Sequence, residues 1–346
     1  MAALRHISRK LFYNFKPESK LKSETCAICI RLLNYSAIEY DEKHDPAPVF
    51  FNKDIQSLLK TLTRVDLAKV NRRRKLGTKK LEDPEYKFMT DEQLHQAIEK
   101  AKKNTEELLQ IPPVVALRKP TSRVLSKDPA LQGLEKSRMV FTDITFGVKD
   151  IERLIVVREP DGTLQEVDWE MRNRINQTYF PSTDRYIKPP KMFFGEYFES
   201  LLNRKEYEFV LDRACTQFEP NDPTYQRVVS ITYQHVNDND GFEILRSTRH
   251  FGALTFFLVW HKSIDNLMSE LIETAHIEEA DKLLELFTKV HGISFEGSQE
   301  LDRIEDYIKK VSSKKAVLEL GVQAYKDLAK RREELDTGIE TAHGLR

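Results

Sequence analysis

Glycine is scarce in this chain, at 12 of 346 residues. A loop that cradles phosphate through bare backbone amides needs glycines close together. Neither G-x-x-x-x-G-K-[ST] nor G-x-G-x-x-G occurs, and H-E-x-x-H and G-x-S-x-G are missing as well. The nine histidines are scattered, and His250 and His261 stand too far apart to act as an i, i+4 ligand pair. Cysteine is also short. Cys26 and Cys29 form one C-x-x-C with no second pair, whereas a structural zinc needs four ligands. The redox reading of that motif needs a βαβ setting that the flanking residues do not supply. Cys215 stands alone and reads as a small buried hydrophobe. Missing motifs do not disprove an enzyme, since folds carry sites that no short motif records. They make a binding or structural role the better reading, with no catalytic residue, metal, cofactor or small-molecule substrate expected.

Long hydrophobic runs are absent too. The central apolar run, Phe251–Trp260, is ten residues, and a bilayer-spanning helix needs about 20. No membrane insertion is expected. Nor is there an excess of charge of one sign, with 55 Lys and Arg against 55 Asp and Glu. The balance is local. Asn52–Lys136 holds 19 basic and 12 acidic residues, and His261–Asp306 holds 4 and 12. Such a split suggests different partners for the two halves.

In chain order, residues 1–35 read as a mitochondrial transit peptide. Leu4, Ile7, Leu11, Phe12 and Phe15 share a helical face, Arg5, Arg9, Lys10 and Lys16 surround it, and no acid precedes Glu18. Residues 36–136 read as a basic helical and extended arm. After a flexible start containing Pro46 and Pro48, Phe51, Ile55, Leu58, Leu59 and Leu62 make the apolar face of a helix. Arg72, Arg73, Arg74, Lys75, Lys79 and Lys80 then crowd around Gly77. Such a cluster can neutralise phosphates and release counterions, and a solvated loop is the alternative. Thr90 and Gln93 fit a capping box, ahead of a helix expected to bury Leu94, Ile98, Ala101 and Leu108. Pro112 and Pro113 end it. The stretch 111–136, with Arg118, Lys119, Arg123 and Lys127, reads as an extended arm ordered by a partner.

Residues 137–190 read as a small antiparallel sheet plus a helix. Met139–Phe146 alternates with strand period, Leu154–Glu159 is β-branched, Pro160-Asp161-Gly162 signals a turn, and Thr163–Val167 returns as a strand. Asp168 caps a covering helix with Trp169, Met171, Ile175 and Tyr179, stopped by Pro181. Residues 191–328 read as an antiparallel helical domain whose last helix spans about Ile304–Leu328, and 329–346 as a frayed tail. The expected class is therefore α+β and mostly α-helical.

Within the helical part, Leu245–Trp260 joins two chemistries. Ser247 or Thr248 can cap a helix that is apolar on nearly every face and must be buried in protein. Arg246, Arg249 and His250 sit at its start. They read either as the solvent end of a core helix or as contacts presented to an anionic partner, with the acidic helices of 265–306 as intrachain rivals.

Two blocks carry a family resemblance. One is VFTDITF (140–146), LIVVREPDGTL (154–164), Trp169 and YFP (179–181). The other is QFEPNDPTY (217–225) followed by LRSTRHFG (245–252). With YKFMTDEQL (86–94) and IPPV (111–114), they resemble the mitochondrial ribosomal small-subunit protein number twenty-two family over roughly residues 50–290. The resemblance implies a non-catalytic scaffold in the ribosome of the mitochondrial matrix. It would contact small-subunit ribosomal RNA and neighbouring ribosomal proteins and support assembly and translation. A mitochondrial helical adaptor that binds proteins and no RNA is the competing expectation.

Overall fold

The computed structural model describes residues 45–72, 86–133 and 136–342. The transit-peptide expectation at 1–35 lies outside them, as do Arg73, Arg74, Lys75, Lys79 and Lys80. The architecture is α+β and predominantly helical, with one four-stranded antiparallel sheet among the described residues.

The helices begin earlier than the sequence suggests. Helix α1 (Ala47–Phe50) is one turn with Pro48 in its first turn, where a missing N–H costs nothing. It buries Phe50, while Phe51 stays exposed. Among the described residues, this turn stands where the end of the flexible start was expected. Helix α2 (Lys53–Leu62) is capped by Asn52 and buries Ile55, Leu58, Leu59 and Leu62. Helix α3 (Leu67–Val70) follows. Helix α4 (Asp91–Leu108) starts with the expected capping box at Thr90 and Gln93. Its expected buried face is a correction: Leu94, Ile98 and Leu108 are exposed, and Thr105 is the residue it buries.

The stretch after α4 is the second correction. Much of the extended arm is ordered by the chain itself. Gly252 leaves room for Ile111, whose Cδ1 would stand 2.6 Å from a Cβ there. The Val115 carbonyl accepts from Gln226, and the Arg118 amide donates to the Asn221 carbonyl. The Arg118 guanidinium lies 2.6 Å from Asp222 and over the Trp169 ring. The arm ends as strand β1 (Val124–Lys127), which pairs with β4 (Thr163–Glu166). Extended chain thus satisfies its backbone groups against residues far away in sequence, invisible to local pattern.

Strands β2 (Met139–Thr142) and β3 (Ile155–Arg158) complete the order β1-β4-β3-β2. The strand expected to reach Phe146 stops at Thr142, because Asp143 turns the chain by accepting from the Thr145 amide and hydroxyl. At the β3–β4 turn, Gly162 has φ +82°, and a Cβ there would lie 2.0 Å from the Asp128 carbonyl oxygen. Only glycine fits. Helix α5 (Trp169–Tyr179), capped by Asp168 as expected, closes one face of the sheet, where Ile155, Val157, Val167 and Ile175 pack with Met171.

The remaining helices are α6 (Gly195–Asn203), α7 (Tyr207–Gln217), α8 (Pro223–Asp238), α9 (Phe242–Leu245), α10 (Arg249–Trp260), α11 (Asp265–Glu273), α12 (Ile277–His291), α13 (Glu300–Lys310) and α14 (Lys315–Ala342). Helix α10 is buried from His250 to Val259, on all sides, as its apolar run requires. Helices α2, α8, α9 and α12 pack against it. Each large side chain so buried is worth roughly 1.5–3 kcal/mol.

The last helix also departs from expectation. It divides at Val311–Lys314, where Asp265 accepts from the Ser313 amide and hydroxyl and from Tyr307. Burial opposes the charge on Asp265, yet these hydrogen bonds hold its carboxyl below the usual range. Beyond Leu328, where the chain was expected to fray, helix continues to Ala342.

Candidate interaction surface and the LRST junction

Leu245–Thr248 is where the turn before α10 meets the turn after α2. Ser247 has φ 55°, a left-handed conformation that costs a non-glycine residue about 1–3 kcal/mol. That turn aims its groups at residues 62–66. The Ser247 amide donates to the Thr63 carbonyl at 3.0 Å, its hydroxyl donates to the Arg64 carbonyl, and its Oγ accepts from the Asp66 amide at 3.0 Å. Arg246 adds a donation to the Leu62 carbonyl at 3.0 Å. Thr248 then caps α10.

The Arg246 side chain is 3 % exposed. Its guanidinium lies over the Phe251 ring, 2.7 Å from Glu270 and 3.4 Å from Glu279. Glu279 is held from its other side by Arg64, with Nε and one terminal nitrogen each 2.7 Å from a carboxylate oxygen. Hydrogen bonding to Glu279 raises the Arg64 pKa further above its already high value. A buried arginine between two acids is a packing element of this chain. The intrachain rival expected from the acidic helices is the arrangement found, and neither reading foresaw a buried Arg246.

His250 is buried, and its Nε2 lies 2.9 Å from Asp212 Oδ1. Burial pushes the imidazole below its ordinary pKa, against the pull of Asp212. A neutral ring donating Nε2–H to the carboxylate fits both facts. Burial opposes charge on Asp212 as well, but His250 and Arg249 hold its carboxyl below the usual range. Arg249 reaches the same oxygen at 2.7 Å and is half-exposed. Of the three candidates in this stretch, Arg249 therefore presents the most surface.

The structure brings Arg249 and Arg72 together. Both line a cavity of about 470 Å³, with Asn71, Leu108, Leu109, Glu208, Asp212 and Ser247. Sequence reasoning missed the acids of this cavity, because Glu208 and Asp212 lie on α7, far from either arginine in the chain. It also missed the open sheet edge, where Met139 and Phe141 are exposed apolar side chains, followed by exposed Ile144 and Phe146 beyond the strand. Among the described residues, no group of three or more His, Cys, Asp or Glu side chains is placed to hold a metal ion. Among the same residues, no helix is long and apolar enough to cross a membrane. Cys215 is half-buried rather than buried, with Sγ 3.5 Å from the Tyr225 hydroxyl.

These features define an α+β protein that holds Arg246 and His250 in its own packing and whose exposed apolar faces are suited to assembly. A family model described as mitochondrial 28S ribosomal protein S22 matches residues 48–292. The small ribosomal subunit protein mS22 of Mus musculus is 35% identical over 305 residues, covering 86% of this chain and 84% of its own. The protein of the same name from Bos taurus is 35% identical over 287 residues, covering 81% and 79%.

The chain belongs to the mitochondrial 28S ribosomal protein S22 family. It is thereby a structural protein of the mitochondrial small ribosomal subunit, in the ribosome of the mitochondrial matrix. The matched residues coincide with the 50–290 over which the resemblance was read.

Proposed function

We propose that the chain is a non-catalytic scaffold of the mitochondrial small subunit that touches ribosomal RNA and neighbouring proteins and supports subunit assembly. The observation that carries this reading is the family match across 48–292. The RNA part rests on charge. Arg72 is exposed where the basic run begins, and it shares a cavity with Arg249. Phosphates near Arg72, Arg73, Arg74, Lys75, Lys79 and Lys80 would be held by charge and shape, without base reading. Changing Arg72, Arg73 and Arg74 together to Gln should weaken RNA attachment and flatten its salt dependence, with the fold intact. An unchanged salt slope would return the run to the solvated-loop reading.

The adaptor reading without RNA keeps one specific support, the exposed Leu94, Ile98 and Leu108 of α4. It predicts complexes that survive nuclease and yield no RNA crosslinks. Crosslinks from residues 72–80 to small-subunit RNA would exclude it.

A further inference from the structure

The two faces of the sheet differ. Side chains alternate along strands, and the registers place Ile155 and Val157 on the face that α5 covers, with Val140 beside them on the edge strand and 43% exposed. The opposite face carries Met139, Phe141, Val156 and Leu164, and Leu154 directly precedes β3. Met139, Phe141 and Leu154 are 42%, 48% and 58% exposed, and Val156 and Leu164 are half-buried. An antiparallel sheet with one wet face is normally polar there. A contiguous exposed apolar patch marks an interaction site.

Two charges stand in this apolar floor. Arg158 lies across from Met139 and Leu164, and Glu166 lies across from Val156. They are therefore diagonal neighbours, at a typical spacing of roughly 7–8 Å. Among the described residues neither side chain forms a hydrogen bond or an ion pair, although the charge of Glu166 is felt by Arg172. The floor thus offers one cation and one anion, both half-buried, to whatever covers it.

The floor argues against RNA as the cover. Platforms for unpaired bases use several aromatic rings in a basic groove. Here one ring, Phe141, stands among aliphatic side chains, with a carboxylate that would repel phosphate. A helix suits it better. An acid and a base at i and i+4 lie about 6 Å apart on a helix face, which matches the diagonal of Arg158 and Glu166.

We propose that this open face is the docking site for an amphipathic α-helix of a neighbouring protein in the small subunit. Its apolar stripe sits on Phe141 and Val156, an Asp or Glu meets Arg158, and a Lys or Arg one turn away meets Glu166. The proposal rests on the chain's place in the assembled particle. The test puts the photo-crosslinking residue p-benzoylphenylalanine at position 141 of the full chain in mitochondria. Small subunits are purified on gradients and the crosslinked species identified. The expected product is one protein peptide with apolar residues three and four apart and an acid–base pair four apart. Arg158→Glu should lower its yield at least about tenfold, and reversing the identified acid in the partner should restore it. A crosslink to RNA, a peptide without that pattern, an undiminished yield in Arg158→Glu, or failure of the reversal to rescue would each overturn the proposal. A co-sedimenting chain that gives no crosslink would do the same while leaving the assembly reading standing. A chain missing from small-subunit fractions would overturn both.

Discussion

Removing the guanidinium of Arg246 should destabilise the full chain by about 3–5 kcal/mol, the typical cost of breaking a buried ion pair from one side. Three observations set the value within that range. Arg246 is itself 3 % exposed, so its bonds are made out of water. Glu279 keeps Arg64, so Glu270 is the acid left alone. The Glu270 side chain is 19% exposed, so water recovers part of its loss. These place Arg246→Met at about 3 kcal/mol, with the Leu62 carbonyl losing its donor in either variant, and Arg246→Ala higher because it also leaves a void. Urea unfolding followed by far-UV circular dichroism would measure this for the parent, Arg246→Met, Glu270→Gln and the double variant. A coupling of at least about 1.5 kcal/mol is expected, with the double variant regaining much of the single loss. A coupling below about 0.5 kcal/mol, the ordinary noise of additivity, would refute the idea that the pair acts as a buried unit.

Three further perturbations test other parts of the fold. Ser247→Ala should release residues 62–66 and cost about 2–3 kcal/mol, from the two lost side-chain hydrogen bonds, one to the Arg64 carbonyl and one from the Asp66 amide; proteolysis near Thr63–Asp66 should rise, and an unchanged digestion pattern would contradict the staple. Thr90→Ala removes the capping box and should cost α4 about 1 kcal/mol, read as faster amide exchange confined to residues 91–94 and their neighbours in the helix. Burial lowers His261 to about 4, against about 6.5 for a free imidazole. The neutral ring is the one the fold accepts, so its contribution is full above about pH 6.5 and is lost as pH falls toward 4. His261→Phe should flatten stability over that window by up to about 3 kcal/mol, and an unaltered slope would sink this assignment.

Several elements were legible from residues alone, for physical reasons that can be named. Thr90, Asp168 and Thr248 announce helix starts because a side-chain oxygen must serve an orphan amide. The Pro160-Asp161-Gly162 turn fixes the β3–β4 hairpin because only glycine tolerates that φ beside Asp128. The burial of Phe251–Trp260 follows from an apolar run too long for a half-wet helix and too short for a bilayer. What escaped is long-range. The acidic helices of 265–306 stand as intrachain rivals for Arg246, yet nothing near it in sequence says that Glu270 and Glu279 will bury it between them. The arm from Ile111 to Arg123 looks unsupported until Gln226, Asn221 and Asp222 are seen beneath it. Leu94, Ile98 and Leu108 have the spacing of a buried face, yet this chain alone leaves them exposed. Periodicity reports that a face wants cover and is silent on which molecule supplies it.

If this chain is built into the mitochondrial small subunit and needed for it, its removal must act on the subunit itself. Gradient sedimentation of mitochondrial lysate before and after its depletion tests this most directly. The chain should travel with the small subunit, and small-subunit yield should fall when it is removed. A chain sedimenting free, with subunit yield unchanged after depletion, would contradict it.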